Sequence, residues 1–278
     1  MRKQLVKTVT DILARDERVV LLLGDIGVYG FREAFQSFPD RVFNIGILEQ
    51  ASVGLAAGLA MEGMIPIFHT IAPFLVERAF EQLKIDFGYQ KLSGNFISVG
   101  ASYDYGSLGC THHAPGDVAA LMNIPGFQVI VPGHPEEFDD AFRRNYDNGK
   151  PTYYRLSEQT NVAARLGTCG KIIKSGPDGT VIAIGPMLDR TLEACYDLDV
   201  TILYATDIDY ASYFDRSVAI VEPFYEGTLA HRLNGQQVYS IGVPRQFLTH
   251  YGTRQQQDES CDLTAEKIRQ RIKEFFNL

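Results

Sequence analysis

The sequence predicts an α/β protein of two units, each a mainly parallel sheet covered by helices. Three observations carry this. Short apolar runs alternate with helical segments: VVLLLGD at 19–25, IPIFHT at 65–70, NFISVG at 95–100 and FQVIVPG at 127–133. Runs that are apolar throughout mark strands buried on both faces, the habit of parallel sheets. The chain has 278 residues, more than one domain usually holds. The pattern also lapses into a polar, turn-rich stretch near 159–178 and then resumes, which places one unit at 1–160 and a smaller one at 175–278.

The elements follow in order. Leu5, Val9, Ile12 and Leu13 fall at helical spacing over 4–15, ahead of the first strand. VFNI at 42–45 reads as a second strand. GILEQASVGLAAGLAMEG at 46–63 reads as a close-packing helix that stops at Gly63. After IPIFHT comes a helix over 73–89 with Pro73 near its start. NFISVG is the next strand. A Gly-rich loop at 104–110 leads to a helix late in THHAPGDVAALMNI, and FQVIVPG follows. EEFDDAFRRNYD is a helix and TYYRLS a strand. Beyond the linker, TVIAIG, VTILYA and SVAIVE are strands, with helices at 187–197 and 264–276. Strands that alternate with helices make a parallel sheet covered on both sides.

Composition narrows the function. A formal net charge of −8 argues against a general nucleic-acid surface, which needs clustered Lys and Arg. Cys110, Cys169, Cys195 and Cys261 form no CxxC pair and read as reduced thiols of a cytoplasmic protein without a metal site. No apolar run reaches the roughly 18 residues of a membrane span, and the N-terminus is amphipathic rather than a signal peptide.

Glu49 stands at a strand-to-helix junction. Read locally, it complements the helix N-terminus, where negative charge is favoured, or it is a solvated surface acid. A third reading comes from its surroundings. FPDRVFNIGILEQASVGLAAGLAMEGMIPIF at 38–68 resembles the pyrimidine-domain signature of transketolases and their relatives. The register continues through TIAPFLVERAFEQL, GCTHHAPGDVAALMNIPGFQVIVPG and PTYYRLS, so the resemblance spans most of 20–157. Residues 178–278 resemble the family's C-terminal domain more loosely, with DLTAEKI similar to its final helix.

The resemblance implies thiamine diphosphate as cofactor and Glu49 as the acid that hydrogen-bonds its aminopyrimidine. A carboxylic acid suits this because it shares a proton with a ring nitrogen and favours the imino tautomer, whose nitrogen then takes the thiazolium proton. Phe74 corresponds to the aromatic that stacks on the pyrimidine, Phe80 to a further wall and Ile47 to a residue near the ring. For both phenylalanines the other reading is helix core. Asp25 ends the first strand where relatives hold an acid near the thiazolium; a cap or turn role is the other reading. His112, in Gly109-Cys110-Thr111-His112, corresponds to the family's Gly-x-Thr-His and is the expected proton donor to substrate. His69 and His113 are weaker candidates for the cleft.

Departures bear on the substrate. Where relatives that act on sugar phosphates hold the phosphate with Ser, His and Arg, this chain has Tyr29, Gly100 and Glu158; Leu108 replaces an acid that meets a sugar hydroxyl. A Glu beside a phosphate repels it unless neutralised. The expected substrate is therefore a modified, unphosphorylated or nucleotide-linked sugar. Arg78 and Arg155 are expected either to contact an anion or to form structural salt bridges. The sequence lacks the Gly-Asp-Gly that, with a later Asn, holds the magnesium ion bridging the cofactor's phosphates in this family. The resemblance thus implies a split enzyme whose partner, an N-terminal transketolase subunit, holds the diphosphate and the metal, with a heterotetramer as the closed assembly. The expected reaction moves a two-carbon ketol group from a ketose to an aldehyde. The alternatives are the beta subunit of a 2-oxoacid dehydrogenase and a noncatalytic subunit that kept the fold.

Overall fold

The computed structural model describes residues 1–167, 170–208, 217–233 and 237–278. Cys169 lies outside them. The first unit runs α1 (Arg2–Arg15), β1 (Val19–Leu23), α2 (Arg32–Ser37), β2 (Val42–Asn44), α3 (Glu49–Met61), β3 (Ile65–Ile71), α4 (Ala72–Val76), α5 (Phe80–Gln82), β4 (Gly94–Val99), α6 (Asp117–Leu121), β5 (Gln128–Ile130), α7 (Pro135–Asn145) and β6 (Pro151–Arg155). Its six strands lie in the order β2-β1-β3-β4-β6-β5, and every pair is parallel. All five residues of β1 are buried, as an apolar run through the middle of a covered sheet must be. Leu5, Val9, Ile12 and Leu13 of α1 pack with Phe138 and Phe142 of α7 on one face. Val53, Ala56 and Ala57 of α3 pack on the other.

The second unit runs β7 (Lys171–Pro177), β8 (Thr180–Ile184), α8 (Leu188–Ala194), β9 (Val200–Ala205), β10 (Val218–Tyr225), β11 (Val238–Val243), α9 (Arg254–Ser260) and α10 (Ala265–Phe276). Its strand order is β11-β10-β8-β9-β7, parallel except that β7 runs antiparallel to β9. Ile182, Ile220 and Phe224 share a core with Phe68, Phe96 and Val131, so the two sheets bury apolar surface against each other.

The structure corrects three expectations. The stretch 159–178 is not all linker, because β7 occupies 171–177 at the sheet's edge. Its side chains are mostly half-buried or exposed, which removes the apolar signal. β11 and α9 add elements that the pattern did not mark. The helix expected over 73–89 is broken: turns occupy 77–79, and Leu83–Tyr89 is a π-helix. Within it, Gly88 faces Ile124 so closely that a Cβ there would collide with Cγ2.

Glu222 of β10 gives the fold a measurable pH dependence. Its buried carboxylate accepts from Ser240 Oγ at 2.6 Å, Leu229 N at 3.0 Å and Gly227 N at 3.1 Å. Burial nonetheless outweighs these donors and pushes its pKa up from 4.5 to about 7. The folded chain therefore holds this proton more tightly than the unfolded chain does. The contribution is complete below the unfolded pKa and is lost as pH rises through the folded one. Between pH 4.5 and 7 the wild type should lose stability relative to Glu222→Gln, on the order of 3 kcal/mol across the window. Urea midpoints of the two proteins at several pH values measure it; a pH-independent difference would refute it.

Candidate active site

The site lies at the carboxyl ends of β1 and β3, where open parallel sheets receive ligands. Glu49 is the first residue of α3, and its side chain is 1% exposed. Leu48 gives that helix no side-chain cap, so Glu49 stands where the helix dipole favours an anion. Its Oε2 accepts from Arg78 Nη1 at 2.8 Å. Its Oε1 is buried with no hydrogen-bond partner among the described residues. A half-satisfied buried carboxylate is costly, and the orphan oxygen is an acceptor in want of a donor.

The break after α4 turns Arg78 back toward Glu49: Glu77 N and Arg78 N both donate to Pro73 O, at 3.0 and 3.2 Å. The Arg78 guanidinium lies 4.2 Å from the centroid of the Phe74 ring. The ring's further neighbour is His112, edge-on at 5.3 Å. His112 in turn meets Tyr105 at 6.0 Å, and its Nδ1 is 2.9 Å from Thr111 Oγ1. Arg2 Nη2 donates to Tyr105 Oη, with the guanidinium 5.7 Å from that ring. One continuous line of contacts thus runs Glu49, Arg78, Phe74, His112, Tyr105, Arg2.

Two clefts open beside this line, both lined by Arg2. One, of about 400 Å³, is also bounded by Asp25, Gly27, Tyr29 and His69. The other, of about 480 Å³, lies at the ends of β4 and β6 with Lys3, Gly100, Ser157 and Glu158. Asp25 sits at φ 61°, in the left-handed region, and is held there by Asn44. Asp25 N donates to Asn44 Oδ1 at 3.0 Å, and Asn44 Nδ2 returns a bond to Asp25 Oδ1 at 3.1 Å. Left-handed backbone at a non-glycine residue costs free energy and recurs at ligand sites. Gly27, at φ 81°, leaves room for His69; a Cβ there would come within 3.1 Å of Cδ2. Burial lowers the His69 pKa to about 4, so the ring is neutral and its Nδ1 donates to Ile97 O at 2.8 Å.

The remaining candidates separate. Ile47 and Tyr29 are 65% and 81% exposed, at the rim. Phe80 is half-buried and packs against the core cluster that holds Val53, Ala56 and Ala57 of α3. His113 is buried against a small cavity of about 80 Å³ with Cys110 and Glu77, and burial lowers its pKa. Arg155 takes the second of its two expected roles, a structural salt bridge. Arg155 and Asp117 are wholly buried as an ion pair at 2.8 Å, where Tyr153 Oη also donates to the Asp117 carboxylate. Its Nη2 donates to Ser102 Oγ at 3.0 Å and Ala114 O at 3.1 Å, and its guanidinium lies 4.8 Å from the Phe224 ring. That charge is consumed inside the protein.

Arg2 and Asn44 escaped the sequence reading. Arg2 carried a signal: Arg2 and Lys3 open α1 with no acid in its first turn, against the helix dipole. Asn44 carried none, being one of many exposed strand-end amides. Cys195 and Cys261 are buried free thiols whose pKa values burial raises to about 11. Among the described residues, no group of three or more His, Cys, Asp or Glu is placed to hold a metal, and no helix is long and apolar enough to cross a membrane.

Comparison with known proteins places the chain. The chain is 39% identical over 290 residues to an uncharacterized 33.6 kDa protein in the fasciation locus of Rhodococcoides fascians, covering 96% of this chain and 92% of that one. It is 36% identical over 121 residues to one of the named subunits of apulose-4-phosphate transketolase from Actinobacillus succinogenes, covering 44% of this chain and 39% of the relative. It is 27% identical to 1-deoxy-D-xylulose-5-phosphate synthase of Oleidesulfovibrio alaskensis, where 98% of this chain spans only 47% of that protein. Among solved structures, a split-gene transketolase described as an inactive beta4 tetramer superposes with a TM-score of 0.82 at 24% identity, covering 100% of this chain and 98% of the other, which shows a shared fold. The profile of the transketolase pyrimidine-binding domain matches residues 1–162, more than half of the sequence, and the chain therefore belongs to the transketolase family.

Proposed function

We propose that the chain is the C-terminal subunit of a split, thiamine-diphosphate-dependent transketolase that carries a two-carbon ketol group from a ketose to an aldehyde. The observation that carries this is Glu49 Oε1, a buried oxygen without a partner among the described residues, on a carboxylate that Arg78 links to the ring of Phe74. A flat ring with an edge donor fits both features. When bound, the cofactor supplies the electron sink for cleaving the ketose. This chain's residues hold and orient. Glu49 shares a proton at Oε1 with the pyrimidine; Phe74 offers its face; Ile47 and Asp25 border the ring system, and Phe80 backs them through the core. His112, with Nδ1 facing Thr111, is left with Nε2 to give a proton to a substrate oxygen or take one back. Neutral His69, Tyr29 and Arg2 line the substrate side, with His113 behind.

An N-terminal subunit is the proposed partner, holding the diphosphate and its magnesium ion, in a cytoplasmic heterotetramer. Exposed Ile47, Leu48, Leu55 and Met61 on and before α3 support a covered surface there. The relative from Actinobacillus is itself named as a subunit of its transketolase, which agrees with a two-chain enzyme. Glu158, 3.9 Å from Arg2, would offset that cation for an anionic substrate, and this favours a sugar other than an ordinary pentose phosphate. Coproduction with a chain bearing Gly-Asp-Gly and a downstream Asn tests the reading. Ketol transfer should need both chains. Decarboxylation of a 2-oxoacid by the pair, without ketol transfer, would overturn it in favour of a dehydrogenase component.

A further inference from the structure

We infer that Arg78 is a latch: in the free subunit its guanidinium fills the slot between Glu49 and Phe74, and it must swing out before the pyrimidine can bind. The inference rests on the reading of those two residues given above. A guanidinium is a flat cation with N–H donors along its edge and a face that stacks on aromatic rings. An aminopyrimidine is also flat, with N–H donors on its edge. Arg78 already engages the same carboxylate, through its other oxygen, and the same aromatic ring that such a ligand would use. Nη1 donates to Glu49 Oε2 at 2.8 Å, and the guanidinium carbon lies 4.2 Å from the Phe74 centroid. Two planar groups cannot share that space.

The two ends of the pair differ in a way that lets it open. The Arg78 side chain is 38% exposed and that of Glu49 is 1% exposed. A departing guanidinium is therefore taken up by water, while Glu49 stays behind. Arg78 also sits on the turn at 77–79 between α4 and α5, outside any regular helix. Leaving Glu49 alone and buried is costly, so the exchange is favourable when the incoming ring donates to it. The closed fraction lowers the apparent affinity of every competitor for the slot, the cofactor included.

The free pyrimidine half of the vitamin, 4-amino-5-hydroxymethyl-2-methylpyrimidine, tests the latch on the full chain because it has no diphosphate to anchor. Its affinity is read by ligand-detected NMR for wild type, Arg78→Ala, Arg78→Lys and Glu49→Gln, with melting curves to confirm folding. Arg78→Ala should bind about tenfold tighter than wild type, since no closed state remains. Arg78→Lys should fall between them, having the charge without the stacking plane. If Arg78→Ala does not fold, the lysine variant carries the comparison. Adding the probe to wild type should also shift the Arg78 side-chain nitrogen signals toward those of a solvated arginine. Equal or weaker binding by the arginine variants, with Glu49→Gln still abolishing it, would sink the latch and leave the pyrimidine site standing. Undiminished binding by Glu49→Gln, or no binding by any of the four proteins, would remove the pyrimidine reading and the latch with it.

Discussion

In the assembled enzyme, Glu49→Gln is expected to lower kcat by about 10²–10⁴-fold, the usual worth of a positioned acid–base group. The amide matches the carboxylate in shape and, before the cofactor enters, keeps an oxygen for Arg78. It cannot hold a transferable proton where Oε1 stands, and that oxygen is the one left without a partner among the described residues. Because the amide fills the same buried space at the start of α3, the substitution should leave the fold intact. Steady-state kinetics beside thermal melts separate chemistry from folding. Turnover within twofold of wild type, with cofactor bound, would mean that Glu49 is not the activating acid and would favour a noncatalytic subunit.

Removing Asp117 should produce the largest loss of stability in the chain. Asp117→Ala strands the Arg155 cation in a site with no exposure on either side chain. Breaking such a pair costs about 3–5 kcal/mol, because the remaining charge is buried without compensation. It also removes the acceptor of Tyr153 Oη and of Val118 N, both at 2.8 Å. The double variant Asp117→Leu/Arg155→Met should be markedly more stable than the single one, since no orphan charge remains. Urea unfolding of the three proteins decides it. A single variant within about 1 kcal/mol of wild type would show that water reaches the pair.

The first unit was legible because burial writes itself into sequence. VVLLL, IPIFHT and NFISVG are mostly apolar, and each became a wholly buried strand of the parallel sheet. β7 was not legible, since KIIKSGP lies at an edge where polar residues cost nothing. α9 was missed although Thr253 and Gln256 form a capping box at its start, because RQQQDES holds no apolar residue for periodicity to register. Glu49, Phe74 and His112 stood out through the resemblance to the family's motifs, and the structure joins them through contacts that include Arg78. No spacing rule could show that Arg78 turns back on Glu49, because that depends on the helix breaking at 77–79. For Arg155 the sequence left anion contact and salt bridge open, because strand position said nothing of Asp117, which arrives from a distant helix.

The loop that carries His112 is tied down by the second unit. Ser102 Oγ donates to Pro223 O, Tyr225 N donates to Pro115 O at 2.9 Å, and Gly252 N donates to Gly106 O at 3.1 Å. A gene can be divided without harm only where few such bonds cross the cut. These two units are therefore poor candidates for separate inheritance. A hybrid that borrowed its last hundred or so residues from a distant cousin would inherit a misplaced imidazole unless the borrowed piece offered the same carbonyls and amides at the seam.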